Sequence, residues 1–146
     1  MTKSMTKSIH IVRPEGFDPG TAQTSGSLRL AAISQQLGVD TNLWGGIFLV
    51  EPGAQTGIHH HGEQETIVYV LEGSSFVRWG ERGEHEATVH AGDFLHVPAW
   101  LPHQEINPSK TEAFRWIVVR STSMPIVVNL PDTYWQSTTA APSIES

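Results

Sequence analysis

The 146-residue chain contains no cysteine. Disulfides, thiolate zinc sites and cysteine nucleophiles are therefore excluded together. Basic residues are scarce, with three Lys, six Arg and no basic run, and the formal net charge is -6. Recognition of a phosphate backbone needs a basic face, so nucleic acid is not an expected partner. No apolar run approaches the roughly 18 residues that a transmembrane helix needs, so no membrane partner is expected. A charged start leading into an apolar core and a small-residue cleavage site is also missing, and the expected compartment is the cytoplasm. Charged residues make up only 16% of the chain against 38% hydrophobic, which excludes a highly charged disordered polymer. The length suits one domain with its own core.

Against these absences stands a surplus of histidine. There are eight, and seven of them fall between His59 and His103. Imidazole, carboxylate, hydroxyl and amide groups are what remains for site chemistry. Compartment and chemistry aside, the ends look simple. Residues 1–8 repeat Met-Thr-Lys-Ser and read as a disordered or appended start, and residues 136–146 are rich in Ser, Thr, Ala and Pro and read as a flexible tail. A single folded domain is expected over residues 9–135.

Within that span short apolar stretches recur at 28–34, 43–51, 66–71, 75–79, 87–90, 94–97, 104–107, 114–120 and 126–130. Gly, Pro, Asn and Asp punctuate most of the gaps, as in Pro52-Gly53, Glu72-Gly73, Ala91-Gly92-Asp93 and Asn107-Pro108. Many short strands with turn signals at this spacing predict an all-β barrel or sandwich. Residues 31–37 have room for a helical turn, but no stretch carries the 3.6-residue period of a longer helix. The 9–13 and 126–130 segments are apolar enough to form edge strands that need cover.

Two segments carry candidate chemistry. In the first, Gly53-Ala-Gln-Thr-Gly-Ile-His59-His60-His61-Gly-Glu63-Gln64-Glu65-Thr66, residues two apart on a strand share a face. His59 and His61 therefore point one way and His60 the other. Two imidazoles on one side of a strand, followed by a carboxylate after a short turn, suit a divalent metal. A surface cluster of histidines would look the same in isolation. The second segment, Gly92-Asp-Phe-Leu-His96-Val-Pro98-Ala-Trp100-Leu-Pro102-His103-Gln-Glu105-Ile-Asn107, adds a third imidazole after a strand and a Pro-bounded loop.

Together these segments make the chain resemble a small single-domain cupin, an all-β double-stranded β-helix or jelly-roll barrel. The family's first motif, G-(x)5-H-x-H-(x)3/4-E-(x)6-G, is matched by Gly53, His59 and His61, with Glu65 following after three residues and Gly73 supplying the closing turn. Its second, G-(x)5-P-x-G-(x)2-H-(x)3-N, is matched by Gly92, Pro98, His103 and Asn107, with Trp100 where the family usually has Gly. The resemblance covers roughly residues 43–120. It implies one divalent metal per chain (Fe, Zn, Ni, Mn or Cu), since nitrogen ligands do not select among them.

One departure from the motif leaves two site models open. The six-residue gap counted back from Gly73 lands on Thr66, not Glu65. Alternation then places Thr66 inward with Val68 and Val70 and turns Glu65 outward, unless the turn after His61 is tighter by one residue. Either Glu65 joins His59, His61 and His103 as a ligand, or the three histidines stand alone with water, Gln64 or Thr66 nearby.

Other residues have two readings each. Glu105, two positions past His103, can orient a ligand or serve as catalytic general acid/base, and can equally be a solvated rim residue. His96 can lie near the pocket or be a plain core or surface histidine. His60, His85 and His90 are read as bystanders. Trp100 can wall the pocket, cover an interface or pack a loop.

Cupins include dioxygenases, decarboxylases, isomerases, cyclases and lyases as well as non-catalytic binders, so the fold does not choose the reaction. The resemblance implies a metal-dependent enzyme acting on a small organic molecule, by O2 activation or by Lewis-acid chemistry. A small-molecule-binding cupin without turnover is the alternative. Cupins commonly pair through terminal strands, which implies a homodimer.

Overall fold

A computed structural model describes residues 7–136. The expectations for residues 1–6 and for the tail from 137 onward lie outside the described residues.

Ten strands form two antiparallel five-stranded sheets. In chain order they are β1 (Leu28–Ile33), β2 (Trp44–Val50), β3 (His59–His60), β4 (Thr66–Glu72), β5 (Ser74–Trp79), β6 (His85–His90), β7 (Phe94–Val97), β8 (His103–Ile106), β9 (Phe114–Arg120) and β10 (Val128–Asn129). One sheet has the order β1-β2-β9-β4-β7 and the other β10-β3-β8-β5-β6. Strands adjacent in space are mostly distant in sequence, as in a jelly roll. Each apolar stretch in the sequence became a strand. The helical turn expected near residue 35 is a short 3-10 turn at Gln35–Leu37. Residues 9–13 form no strand, so the N-terminal edge strand expected there is absent; their apolar side chains Ile9 and Ile11 are exposed.

Alternation decides what the barrel encloses. Along β2 the inward positions are Trp44, Gly46, Phe48 and Val50; along β9 they are Phe114, Trp116, Val118 and Arg120. On β4 the inward residues are Thr66, Val68 and Val70, and β8 contributes His103 and Glu105. Val50, Val70 and Phe114 are fully buried, and Phe48, Phe114 and Trp116 pack ring against ring with centroids 5.3–6.0 Å apart. The Trp116 indole N–H donates to Ser75 Oγ across the barrel (3.0 Å). One end of the interior is thus aromatic and aliphatic, while the layer formed by β3, the start of β4, β8 and the end of β9 is polar.

The motif glycines do different jobs. Gly73 joins β4 to β5 at φ +79, and a Cβ placed there would sit 2.8 Å from Ala113 O and 2.9 Å from Phe114 Cα. Gly92 has φ +98 with open space around it. Gly92→Ala is expected to cost only the left-handed backbone penalty, about 1–2 kcal/mol. Gly73→Ala carries that penalty plus overpacking against β9, about 1–3 kcal/mol more. Urea denaturation of the two variants measures the difference, and equal losses would show that the turn has room to relax.

Candidate metal centre

His59 and His103 are direct cross-strand partners on β3 and β8, which brings their ring centroids to 4.4 Å. His61 follows β3 at the turn through Gly62 (φ 57), and its ring lies 5.1 Å from His59 and 5.2 Å from His103. All three are buried, and one nitrogen from each falls within 4.8 Å of the others. Strand pairing fixes two of the rings and a tight turn fixes the third.

The other nitrogen of each ring is engaged by backbone. His59 Nδ1 lies 2.9 Å from Gly57 O, His61 Nδ1 2.8 Å from Ile126 O, and His103 Nδ1 2.9 Å from Leu101 O. A carbonyl only accepts, so each Nδ1 carries the proton and donates it. That choice of tautomer leaves Nε2 as the lone-pair nitrogen whenever a ring is neutral. Burial holds His59 down to about 3, with His103 adding to the effect. Burial and the neighbouring Arg120 likewise hold His61 well below its ordinary value.

Gln64 secures this arrangement from behind. Fully buried, it donates through Nε2 to Thr122 O, Thr122 Oγ1 and Met124 O and accepts the Ile126 N–H at Oε1. It fixes the 122–126 segment whose last carbonyl receives His61. Asn107, the closing residue of the second motif, is a clamp of the same kind: its amide reaches Val50 O, Glu51 O and Glu112 O.

Glu105 is buried beside the cluster and is no rim residue. Its Oε2 lies 3.1 Å from His103 Nε2 and its Oε1 3.6 Å from His59 Nε2. Thr56 Oγ1 accepts the Glu105 N–H and donates to its carboxylate (3.2 Å). Burial would raise this carboxyl, but His103, His59 and Arg29 together hold it at about 2, so it is ionised at neutral pH.

Glu65 is not brought to the cluster. Its carboxylate accepts from His96 Nε2 (2.8 Å) on the outer face, and both side chains are more than half exposed. The reason is the register of β4: Thr66 is the first inward residue, so its predecessor points out. The site model in which Glu65 ligates is corrected accordingly. Thr66 does reach the interior, beside His61 and His103. His60 faces away, accepting the Gly62 N–H and packing its ring against Trp100 at 5.7 Å. His85 and His90 lie on the exposed strand β6.

Two residues that the sequence reading passed over belong to the same layer. Arg29 on β1 and Arg120 at the end of β9 are both buried, the first over the Phe48 ring and the second over the Trp44 ring. Arg29 Nη2 comes within 3.4 Å of His59 Nε2. Burial lowers Arg29 to about 10 and Arg120 to about 9, still charged at neutral pH. Strand phase was the available signal, since Arg120 repeats the inward spacing of Phe114, Trp116 and Val118.

The cluster adjoins two spaces. A small one of about 10 Å3 is bordered by Arg29, His61, Thr66, His103, Glu105 and Arg120. A larger, mostly apolar pocket of about 470 Å3 is lined by Val77, Trp79, Val89, Leu95, Leu101 and Trp116, and meets the small one at His103 and Glu105. Such a pocket is of the size that takes a small organic ligand.

Trp100, at the loop before β8, has φ 66 and is the only non-glycine residue with positive φ among the described residues. The backbone therefore takes the left-handed conformation that glycine would take there. Trp100 N–H donates to Gly62 O (2.8 Å), tying this loop to the turn after His61. Its side chain is exposed and does not line the pocket.

A two-sheet jelly roll with three inward histidines, two on adjoining strands and one at the turn after β3, defines the class of small β-barrel proteins with a buried imidazole centre. The chain belongs to the cupin family: the Cupin domain model matches residues 46–120, just over half of it. Among solved structures, the polyketide cyclase RemF from Streptomyces resistomycificus superposes with a TM-score of 0.64 at 24% identity, covering 92% of this chain and 94% of that one. An oxalate oxidase gives 0.64 at 20% identity, covering 86% of this chain and 70% of the other. A sugar phosphate isomerase from Silicibacter pomeroyi gives 0.54 at 25% identity, covering 67% and 60%. At these identities the structures share the fold. No curated protein matches the chain.

The protonation pattern makes stability depend on pH. In the protein freed of metal, folded His59 resists protonation down to about 3, whereas an unfolded histidine takes up its proton near 6.5. The unfolded state therefore binds more protons between those values, and stability falls as pH falls through that window. Glu105, held at about 2 against an ordinary 4.5, extends the loss in the same direction below pH 4.5. Thermal denaturation of chelator-treated protein from pH 7.5 down to pH 4 should show a continuous decrease in Tm, and a flat profile would contradict the lowered proton affinity of buried His59.

Proposed function

We propose that the protein is a metal-dependent cupin enzyme acting on a small organic molecule, with one divalent metal held by His59, His61 and His103. The observation that carries this reading is the set of three Nδ1–H donations to backbone carbonyls. They leave three Nε2 atoms as the ligand-capable nitrogens of a single buried cluster. The donor set fits a divalent transition metal, because three backbone-anchored imidazoles turn their Nε2 atoms toward one point, where a bound ion would replace the contacts that Arg29 and Glu105 make with His59 and His103. Three protein ligands also leave coordination positions open, as catalysis requires.

When bound, the metal supplies either O2 activation, if it is iron, or Lewis-acid polarisation of a substrate oxygen in an isomerase, cyclase or lyase reaction. The chain's own residues do the rest. The apolar pocket takes the body of the substrate and excludes water. Glu105, ionised and bordering both spaces, is the group able to accept a proton from the substrate and to return it. Thr56 aims its carboxylate.

Metal analysis of the purified protein tests the site. About one divalent ion per chain is expected, with His61→Ala reducing it at least tenfold and Glu65→Gln leaving it unchanged. Full metal content in His61→Ala would sink the assignment. Metal identity and the oxygen dependence of turnover then separate the two chemistries.

The same reading includes a homodimer. The outer face of the β1-β2-β9-β4-β7 sheet carries Ile67 opposite Val119 and Tyr69 opposite Ile117, with Phe94 packed on Tyr69. Ile67 and Phe94 are 53% and 73% exposed. A contiguous apolar sheet face of this kind calls for cover, and a second copy supplies a self-complementary one. Light scattering at micromolar concentration should give a dimer mass, and the double variant Ile67→Lys/Val119→Lys a monomer. A monomeric parent protein would refute it.

A further inference from the structure

Among the described residues, eight buried side-chain polar atoms lack a hydrogen-bond partner, and five of them belong to residues bordering the small space beside the histidine cluster. They are Nε and Nη1 of Arg29, Nε and Nη1 of Arg120, and Oγ1 of Thr66. Buried polar groups are almost always paired, so such a concentration at one point marks a missing partner.

The chemistry of that partner follows from the orphans. Four of the five are N–H groups of guanidinium ions, which can only donate. A water molecule would fit the volume but accepts two hydrogen bonds at most. Charge points the same way. Arg29 and Arg120 bring two positive charges into the barrel against the single carboxylate of Glu105, and neither arginine lies within 4.0 Å of a carboxylate oxygen in an ion pair. A divalent metal on the three imidazoles would enlarge the excess. Buried charge of one sign is costly unless a counter-charge accompanies it.

We propose that Arg29 and Arg120 are the anion-recognising residues of the pocket, so that the substrate is an organic anion with a planar oxyanion, a carboxylate or enolate, on an apolar body. Resting on the reading of this centre as a substrate site, the inference names which substrates enter it. The apolar body lies in the larger pocket, and the charged end passes His103 and Glu105 towards the arginines. A planar acceptor matches the guanidinium fork, and the space beside the arginines, about 10 Å3, has room for an oxygen at the tip of that group and not for the apolar body.

Benzoate and its neutral isostere benzamide test this by calorimetric titration, on metal-loaded and on chelator-stripped protein, with metal content measured in the same samples. Benzoate is expected to bind at least about tenfold tighter than benzamide. Arg29→Met and Arg120→Met should each erase that preference while keeping the metal. Because each variant removes an unpaired buried charge, its Tm should be unchanged or higher, whereas a purely structural arginine would lower it. Equal affinity for the two probes, no benzoate binding at millimolar concentration, or a preference that survives both variants would overturn the proposal. Protein that holds no metal yet prefers benzoate through the arginines refutes the metal reading alone. Protein with full metal and no preference refutes this one alone.

Discussion

Three imidazole rings share one buried space in which burial penalises protonation of His59 and His61, and much of the surrounding structure answers to that constraint. Each ring needs one hydrogen-bond partner for its Nδ1–H and turns Nε2 toward the shared space. Backbone carbonyls meet the first demand without adding charge. Gly57, Leu101 and Ile126 are therefore as much a part of the centre as the side chains they hold. The Gln64 clamp, the Gly62 turn and the left-handed Trp100 all act on the segments that carry those carbonyls or rings.

The polar layer is also unbalanced by design of its residues. Glu105 is tied to histidines and to Thr56, while the two arginines stack on aromatic rings and form no ion pair with a carboxylate among the described residues. Stacking lets a guanidinium sit in a barrel interior without being paired, because the ring faces replace part of its hydration. The arrangement stores donors where a closed core would have spent them on internal bonds.

Much of the fold was legible in the sequence, since period-2 alternation and Gly/Pro punctuation are local signals that a barrel does not override. The three histidines were legible for another reason: their spacing coincides with two motifs whose glycines and proline set the turns. The register argument from Gly73 to Thr66 offered an outward Glu65 as one of two open models, and sequence alone did not choose between it and the model in which Glu65 ligates. Glu105 was harder, because two residues past His103 fixes its face but not its burial. Arg29 and Arg120 were missed since an isolated arginine in a strand reads as surface, and only the inward phase of Trp116 and Val118 argues otherwise. The hydrogen bonds of Gln64 were beyond reach, as they join residues 58 to 62 positions apart.

The dependence of His61 on Ile126 O separates the boundary of the fold from the boundary of the site. The family match ends at residue 120, and both β1 and the 121–127 segment lie outside it. A barrel trimmed to the shared core would lose the edge strands β1 and β10, and with them Arg29 and one ring's anchor. Drift in the length or composition of that outlying segment can thus re-aim His61 with every ligand residue unchanged, which gives evolution a way to retune the centre from a part of the chain that motif comparison does not see.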